Sequence, residues 1–134
     1  MSVAGPGPVA RNDATSAFFD GTARGEFLLA LCSQGHWNRP QATRCHACDS
    51  TELRGAAASG RARLVSWTVV HPRPGRDRTA EPSRVPAIVE LEEGPWWWTQ
   101  LVDVDPAALR EGLALHVAFI RPEGSEAVPV FAPT

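Results

Sequence analysis

Beyond residue 60 the chain alternates short apolar runs with turn residues, and every run is strand-sized. Residues 61–71, RARLVSWTVVH, are rich in β-branched and aromatic side chains and predict a strand long enough to bend through a small barrel. Residues 87–92, AIVELE, turn at Gly94 and Pro95 and return as residues 96–104, WWWTQLVDV. Alternation sends Trp96 and Trp98 to one face of that strand and Trp97 to the other, with one face expected in the core. Asp105 as a cap and Pro106 at the first helical position predict a single helical turn ending at Gly112. Residues 113–121, LALHVAFIR, and 127–132, AVPVFA, complete the set, and Pro129 marks the last strand as an edge. Five strands, a short helix and regular turns predict a small closed or partly open barrel of the OB kind, which periodicity alone does not separate from a small sandwich.

The first sixty residues read differently. Residues 1–11 are Gly, Pro and small side chains and predict a mobile tail. Asp13 or Thr15 can cap a short helix that carries Phe18 and Phe19 and ends near residues 21–25. That aromatic pair packs either into the main body or against a partner protein. Residues 26–32, EFLLALC, form a strand-length run into the densest chemistry of the chain. The organisation expected is a tail over 1–11, a helix and metal-knuckle module over 12–58, and a β-barrel over 59–134.

All three cysteines and two of the four histidines fall within residues 31–50, LCSQGHWNRPQATRCHACDS. Cys45 and Cys48 have the C-x-x-C spacing that lets two thiolates reach one tetrahedral ion from a single turn. Cys32 opens a second knuckle, but Gly35 stands where its partner is expected and His36 follows. Cys32, His36, Cys45 and Cys48 could therefore close a Cys3His zinc site with four protein ligands, which would be structural and not catalytic. The competing reading is a degenerate ribbon that has lost tight metal binding, its loop held by packing around Trp37 and Pro40. His46 is expected to face outward.

Composition narrows the function classes. A chain of 134 residues with net charge −2 carries no overall electrostatic footprint for polyanions. All thirteen basic residues are Arg, a bias read first as genomic. Clustered cysteines suit a reducing compartment, and the start of the chain has no hydrophobic signal region, so a soluble cytoplasmic protein is expected. No G-x-S-x-G elbow, glycine-rich phosphate loop or H-E-x-x-H motif occurs.

The ordered features resemble a known family: acyl-CoA-associated proteins that join an N-terminal rubredoxin-like zinc ribbon to a C-terminal five-stranded OB-fold. The likeness runs from about Phe18 to Pro133. It is carried by Phe18 and Phe19 followed by RGEFLLALC, the knuckle CHAC, then SGRARLVSWTVVH, VPAIVELEEG, LVDVDPAALREG and VPVFAP. Gly35 departs from the pattern, where the family usually has its second cysteine. The resemblance implies a non-catalytic accessory subunit in a hetero-oligomer with a thiolase-fold enzyme, or in some systems with a hot-dog-fold acyl-CoA hydratase. Such subunits help form the acyl-CoA site or hold the catalytic subunit in its active state, and the reactive Cys and His of the carbon–carbon chemistry would lie in the partner.

Coenzyme A carries phosphates, so its site needs cationic donors. Arg73, Arg76, Arg78 and Arg84, in the Pro-rich loop over 72–86, could supply forked donors, with His71 beside them at a strand end. A solvated loop is the plain alternative. Trp67 reads as core, with Ser66 and Thr68 on the opposite face, and His116 reads as solvent-facing. The tryptophan run is a candidate docking surface, either Trp97 or the Trp96 and Trp98 pair. A single-stranded nucleic-acid-binding ribbon and OB module is the second function class, opposed by the acidic ELEE stretch. Catalysis by the chain itself through His71 and a carboxylate is a third.

Overall fold

Leu28–Cys32 (β1) is an apolar run whose Leu29, Ala30 and Cys32 are buried, and it pairs antiparallel on both sides. One neighbour is Trp37–Asn38 (β2), with Leu31 opposite Trp37; the other is Leu53–Ala57 (β3), with Leu28 opposite Ala57. The structure, a computed structural model, describes residues 3–72 and 82–134. Ahead of β1 lies one helix, Ser16–Ala23 (α1). Thr15 occupies its N-cap position, but the Thr15 hydroxyl turns back to Asn12 and makes no cap bond to the helix. Asn12 Oδ1 instead accepts from the Thr15 N–H at 3.0 Å, tightening the turn before the helix. Phe18 and Phe19 are both buried, which settles them as core residues.

The barrel strands are Arg61–Trp67 (β4), Pro86–Leu91 (β5), Trp96–Gln100 (β6), Ala114–Ile120 (β7) and Val128–Pro133 (β8). They form one antiparallel sheet in the order β6-β5-β4-β7-β8. A parallel bridge between Leu101 and Phe131, with the Val102 N–H donating to the Phe131 carbonyl at 2.9 Å, brings the two ends of the sheet together. A three-strand meander, a fourth strand beside the first, and a parallel closure of third on fifth is the OB arrangement. Asp105 caps the 3-10 turn Pro106–Ala108 as expected, its Oδ1 accepting from the Ala107 N–H at 3.0 Å. Pro129 sits on the terminal strand of the ladder, where its missing N–H is tolerated.

Three features depart from the sequence reading. The strand expected over 61–71 ends at Trp67, after a register shift between Leu64 and Ser66, and resumes only as a bridge between Val70 and Arg84. The strand expected over 96–104 ends at Gln100, because Leu101 leaves the ladder to close the barrel. The segment expected as a mobile tail is tied to the barrel. Ala4 N–H donates to the Ser83 carbonyl at 2.8 Å, and Val9 N–H to Ser125 Oγ at 2.8 Å. Arg11 clasps Glu126 through Nε and Nη2 and reaches Asp20 through Nη1.

One hydrophobic core serves both the N-terminal module and the barrel. Phe18, Phe19, Phe27 and Leu29 pack in the same cluster as Leu64, Val89, Leu101 and Phe131. Among the described residues no helix is long and apolar enough to cross a membrane.

Candidate functional site

Two turns bring four donors together. In the first, the Gly35 N–H donates to the Cys32 carbonyl at 3.0 Å, and Gly35 adopts φ +87°, a left-handed conformation that a cysteine would hold only with strain. The candidate donor comes one residue later, from His36, whose Nδ1 lies 3.4 Å from Cys32 Sγ. In the second turn, the Cys45 N–H donates to the Ser50 carbonyl at 2.8 Å and the Asp49 N–H to the Cys45 carbonyl at 3.0 Å. Asp49 takes the left-handed position there, φ 64°, directly after the candidate donor Cys48.

The donor atoms of Cys32, His36, Cys45 and Cys48 all lie within 4.8 Å of one another. Cys32 Sγ is 3.8 Å from Cys48 Sγ, and Cys45 Sγ is 3.7 Å from His36 Nδ1. A tetrahedral zinc with the usual bond lengths places sulfur ligands roughly 3.8 Å apart and a sulfur and a nitrogen roughly 3.5 Å apart. The donor set therefore fits such an ion. Backbone N–H groups already point at the sulfurs: Gln34 and His36 donate to Cys32 Sγ at 3.4 and 3.3 Å, and Ala47 to Cys45 Sγ at 3.4 Å. Burial pushes the Cys45 thiol up, but the Ala47 N–H, the Asn38 side chain and Cys48 outweigh it and hold the thiol down at about 5. At Cys48 the Ser50 N–H pulls the thiol down, while desolvation and the neighbouring Cys45 and Cys32 sulfurs win and raise it.

His46 faces outward, its backbone N–H donating to Asn38 Oδ1 at 2.8 Å and its ring Nε2 lying 3.0 Å from the Trp37 carbonyl. Asn38, unremarked in the sequence, is 4% exposed and fully engaged, since its Nδ2 donates to the His36 carbonyl at 3.2 Å. A side chain whose partners are backbone groups on either side leaves no signature in spacing.

The tryptophan run divides as alternation predicts. Trp97 packs inward, its ring 5.0 Å from Phe27 and 5.8 Å from Phe18. That corrects the reading of Trp97 as a docking residue, because its face of β6 is the core face. Trp96 and Trp98 project outward, 57% and 78% exposed. Trp98 also lines an apolar groove of about 430 Å³ with Phe18, Val9, Pro129 and Val130. Trp67 packs against the core cluster and His116 is exposed, as expected.

Arg73, Arg76 and Arg78 lie outside the described residues. His71 and Arg84 stand at the base of their loop, where Val70 and Arg84 pair and His71 Nδ1 is 3.1 Å from Ser83 Oγ. The Arg84 Nη1 donates to the Gly5 carbonyl, so its fork is partly committed to the N-terminal segment. The ELEE stretch is paired as well: Glu90 with Arg63 and Glu92 with Arg61, which holds both carboxyls below their ordinary range.

Fold and site together define an OB-fold protein with a four-donor knuckle module on a shared core. Residues 56–119 match the family model described as ChsH2, C-terminal OB-fold domain. A DUF35 domain-containing scaffold protein of Pyrococcus furiosus is 33% identical over 86 residues, 64% of this chain. One of Methanocaldococcus jannaschii is 32% identical over 87 residues, 63% of this chain. The aligned stretches span less than two thirds of those relatives, 62% and 61% of their lengths. A chain of a solved structure described as Ltp2-ChsH2(DUF35) aldolase superposes with TM-score 0.77 and 25% identity, over 92% of this chain and 97% of that one. A DUF35 family protein of unknown function from Sulfolobus solfataricus shares the fold alone, with TM-score 0.62 and 12% identity over 92% of this chain and 87% of its own. These matches bear out the family resemblance, and the OB-fold domain itself is assigned over residues 56–119.

Proposed function

We propose that this chain is a non-catalytic scaffold subunit that docks on a thiolase-fold enzyme and helps form its acyl-CoA site. The observation that carries the reading is the exposure of Trp96 and Trp98 on one face of β6 while Trp97 between them packs, half-buried, against the core. Large aromatics on a rigid sheet are the side chains that anchor protein interfaces. The similarity to DUF35 scaffold proteins and to a chain of the Ltp2-ChsH2(DUF35) aldolase supports a subunit role. Carbon–carbon bond formation or cleavage on an acyl thioester would be performed by the partner's own residues.

Cys32, His36, Cys45 and Cys48 would hold zinc. Four protein ligands leave no open position, so the ion would brace the module beside α1 and the barrel and would not act on substrate. His71, Arg73, Arg76, Arg78 and Arg84 are proposed as donors to the coenzyme A phosphates, with Arg84 exchanging the Gly5 carbonyl for a phosphate oxygen. The nucleic-acid alternative is weakened by the pairing of Arg61 and Arg63 with Glu92 and Glu90, which spends sheet cations a phosphate backbone would need.

Affinity purification of the full tagged chain from its host tests the reading. A thiolase-fold protein recovered in fixed ratio, and lost with Trp98→Ala, is the expected result. Recovery of nucleic acid, or of no partner, overturns it, and recovery of a hot-dog-fold hydratase replaces the partner class.

A further inference from the structure

We propose that Asn38 is the positioning residue that sets the two halves of the four-donor site at metal-binding distance. The inference rests on zinc as the occupant of Cys32, His36, Cys45 and Cys48. Each half is a local turn shaped by its own backbone hydrogen bonds, Gly35 to Cys32 in one and Cys45 to Ser50 in the other. Neither turn dictates where the other lies, and residues 37–44 separate them. Something must fix their relative placement if the donors are to meet a tetrahedral ion.

Asn38, on β2 between the halves, touches both. Its Nδ2 donates to the His36 carbonyl at 3.2 Å, and that carbonyl also accepts from the Cys32 N–H at 3.0 Å. Its Oδ1 accepts from the His46 N–H at 2.8 Å, and His46 lies inside the second knuckle, between Cys45 and Cys48. One planar carboxamide thus reads the first turn with its donor and the second with its acceptor. Asn38 is 4% exposed, so its end of each bond is shielded from solvent. The His46 ring reinforces the same junction: a carbonyl can only accept, so the Nε2 facing the Trp37 carbonyl at 3.0 Å carries the proton. Asn38 touches no metal; it acts through the backbone of His36 and of His46 and through its contact with the Cys45 sulfur, and outer-shell partners of this kind typically carry about a 10–100-fold share of metal affinity.

The test uses the full chain as wild type, Asn38→Ala and Asn38→Asp. Zinc affinity is measured by competition with a chromophoric chelator, the cobalt(II) ligand-field spectrum is recorded, and thermal unfolding is followed with and without metal. Wild type is expected to bind one zinc per chain, and Asn38→Ala to bind it about 10–100-fold more weakly. Its cobalt bands should lose intensity as the tetrahedral geometry loosens, and its loss of stability should be larger with metal bound than without. Asn38→Asp is nearly isosteric and keeps the acceptor for the His46 N–H but loses the donor to His36; it should weaken zinc too, and it serves if the alanine variant fails to fold. Wild-type affinity and spectrum in both variants, or the same loss of stability with and without metal, would overturn the role of Asn38 alone. Failure of wild type to bind zinc would overturn it together with the zinc assignment.

Discussion

Phe27 and Trp97 meet edge to face with ring centroids 5.0 Å apart. Phe27 leads into β1 of the knuckle module and Trp97 lies on the inward face of β6, so this contact crosses between the module and the barrel. Phe18 of α1 reaches both rings, and Phe131 of β8 lies 6.3 Å from Phe27. The knuckle module and the barrel therefore share an aromatic junction, and a change on one side is felt on the other.

Trp97 and Trp98 are adjacent in sequence and opposite in role. Trp97→Ala should destabilise the fold by about 3 kcal/mol, as core truncations of large aromatics do. Trp98→Ala, at 78% exposure, should shift stability by no more than about 0.5 kcal/mol. Urea unfolding of the two variants checks this, and a destabilising Trp98→Ala with a neutral Trp97→Ala would reverse the assignment of faces.

Cys45 is buried in the four-donor cluster, so Cys45→Ser should abolish stoichiometric zinc and increase hydrogen exchange across residues 31–50. The β4-β5-β6 ladder should remain protected. Metal analysis and exchange mass spectrometry measure both, and unchanged zinc content would contradict the four-ligand site.

The N-terminal segment should be sensitive to acid. Hydrogen bonding from Arg11 holds the Glu126 carboxyl below its ordinary value of 4.5, so the folded state favours the ionised form. A depressed folded-state value stabilises above the unfolded value and is lost as pH falls through the folded one, which places the loss below about pH 4.5. Limited proteolysis near Arg11 with an acid-active protease should accelerate in that window. Glu126→Gln should accelerate it already near pH 5 and flatten the dependence; an identical pH profile in that variant would assign the sensitivity to other carboxylates.

Much of the architecture was legible because the barrel strands are short apolar runs bounded by turn residues, β5 alternating buried and half-buried positions and β8 buried almost throughout. Residues 87–92 and 127–132 predicted β5 and β8 to within one residue at each end, and Pro129 marked the edge. Where pairing rather than alternation makes the strand, the pattern was silent: β3, LRGAA, exists because it lies against β1. The donor cluster was legible from the spacing of Cys32, His36, Cys45 and Cys48. Asn38 was not, since its partners are the His36 carbonyl and the His46 N–H and not a motif. The N-terminal segment misled by composition, because its ties to Ser83, Ser125 and Glu126 are distant in sequence.

The scaffold role is tested most directly by assaying acyl-CoA turnover with the purified chain, with its co-purified partner, and with the reconstituted complex. The chain alone should be inactive, the complex should exceed the partner alone, and Trp98→Ala should remove that gain without unfolding the chain. Turnover by the chain alone, or a partner equally active without it, would contradict the account.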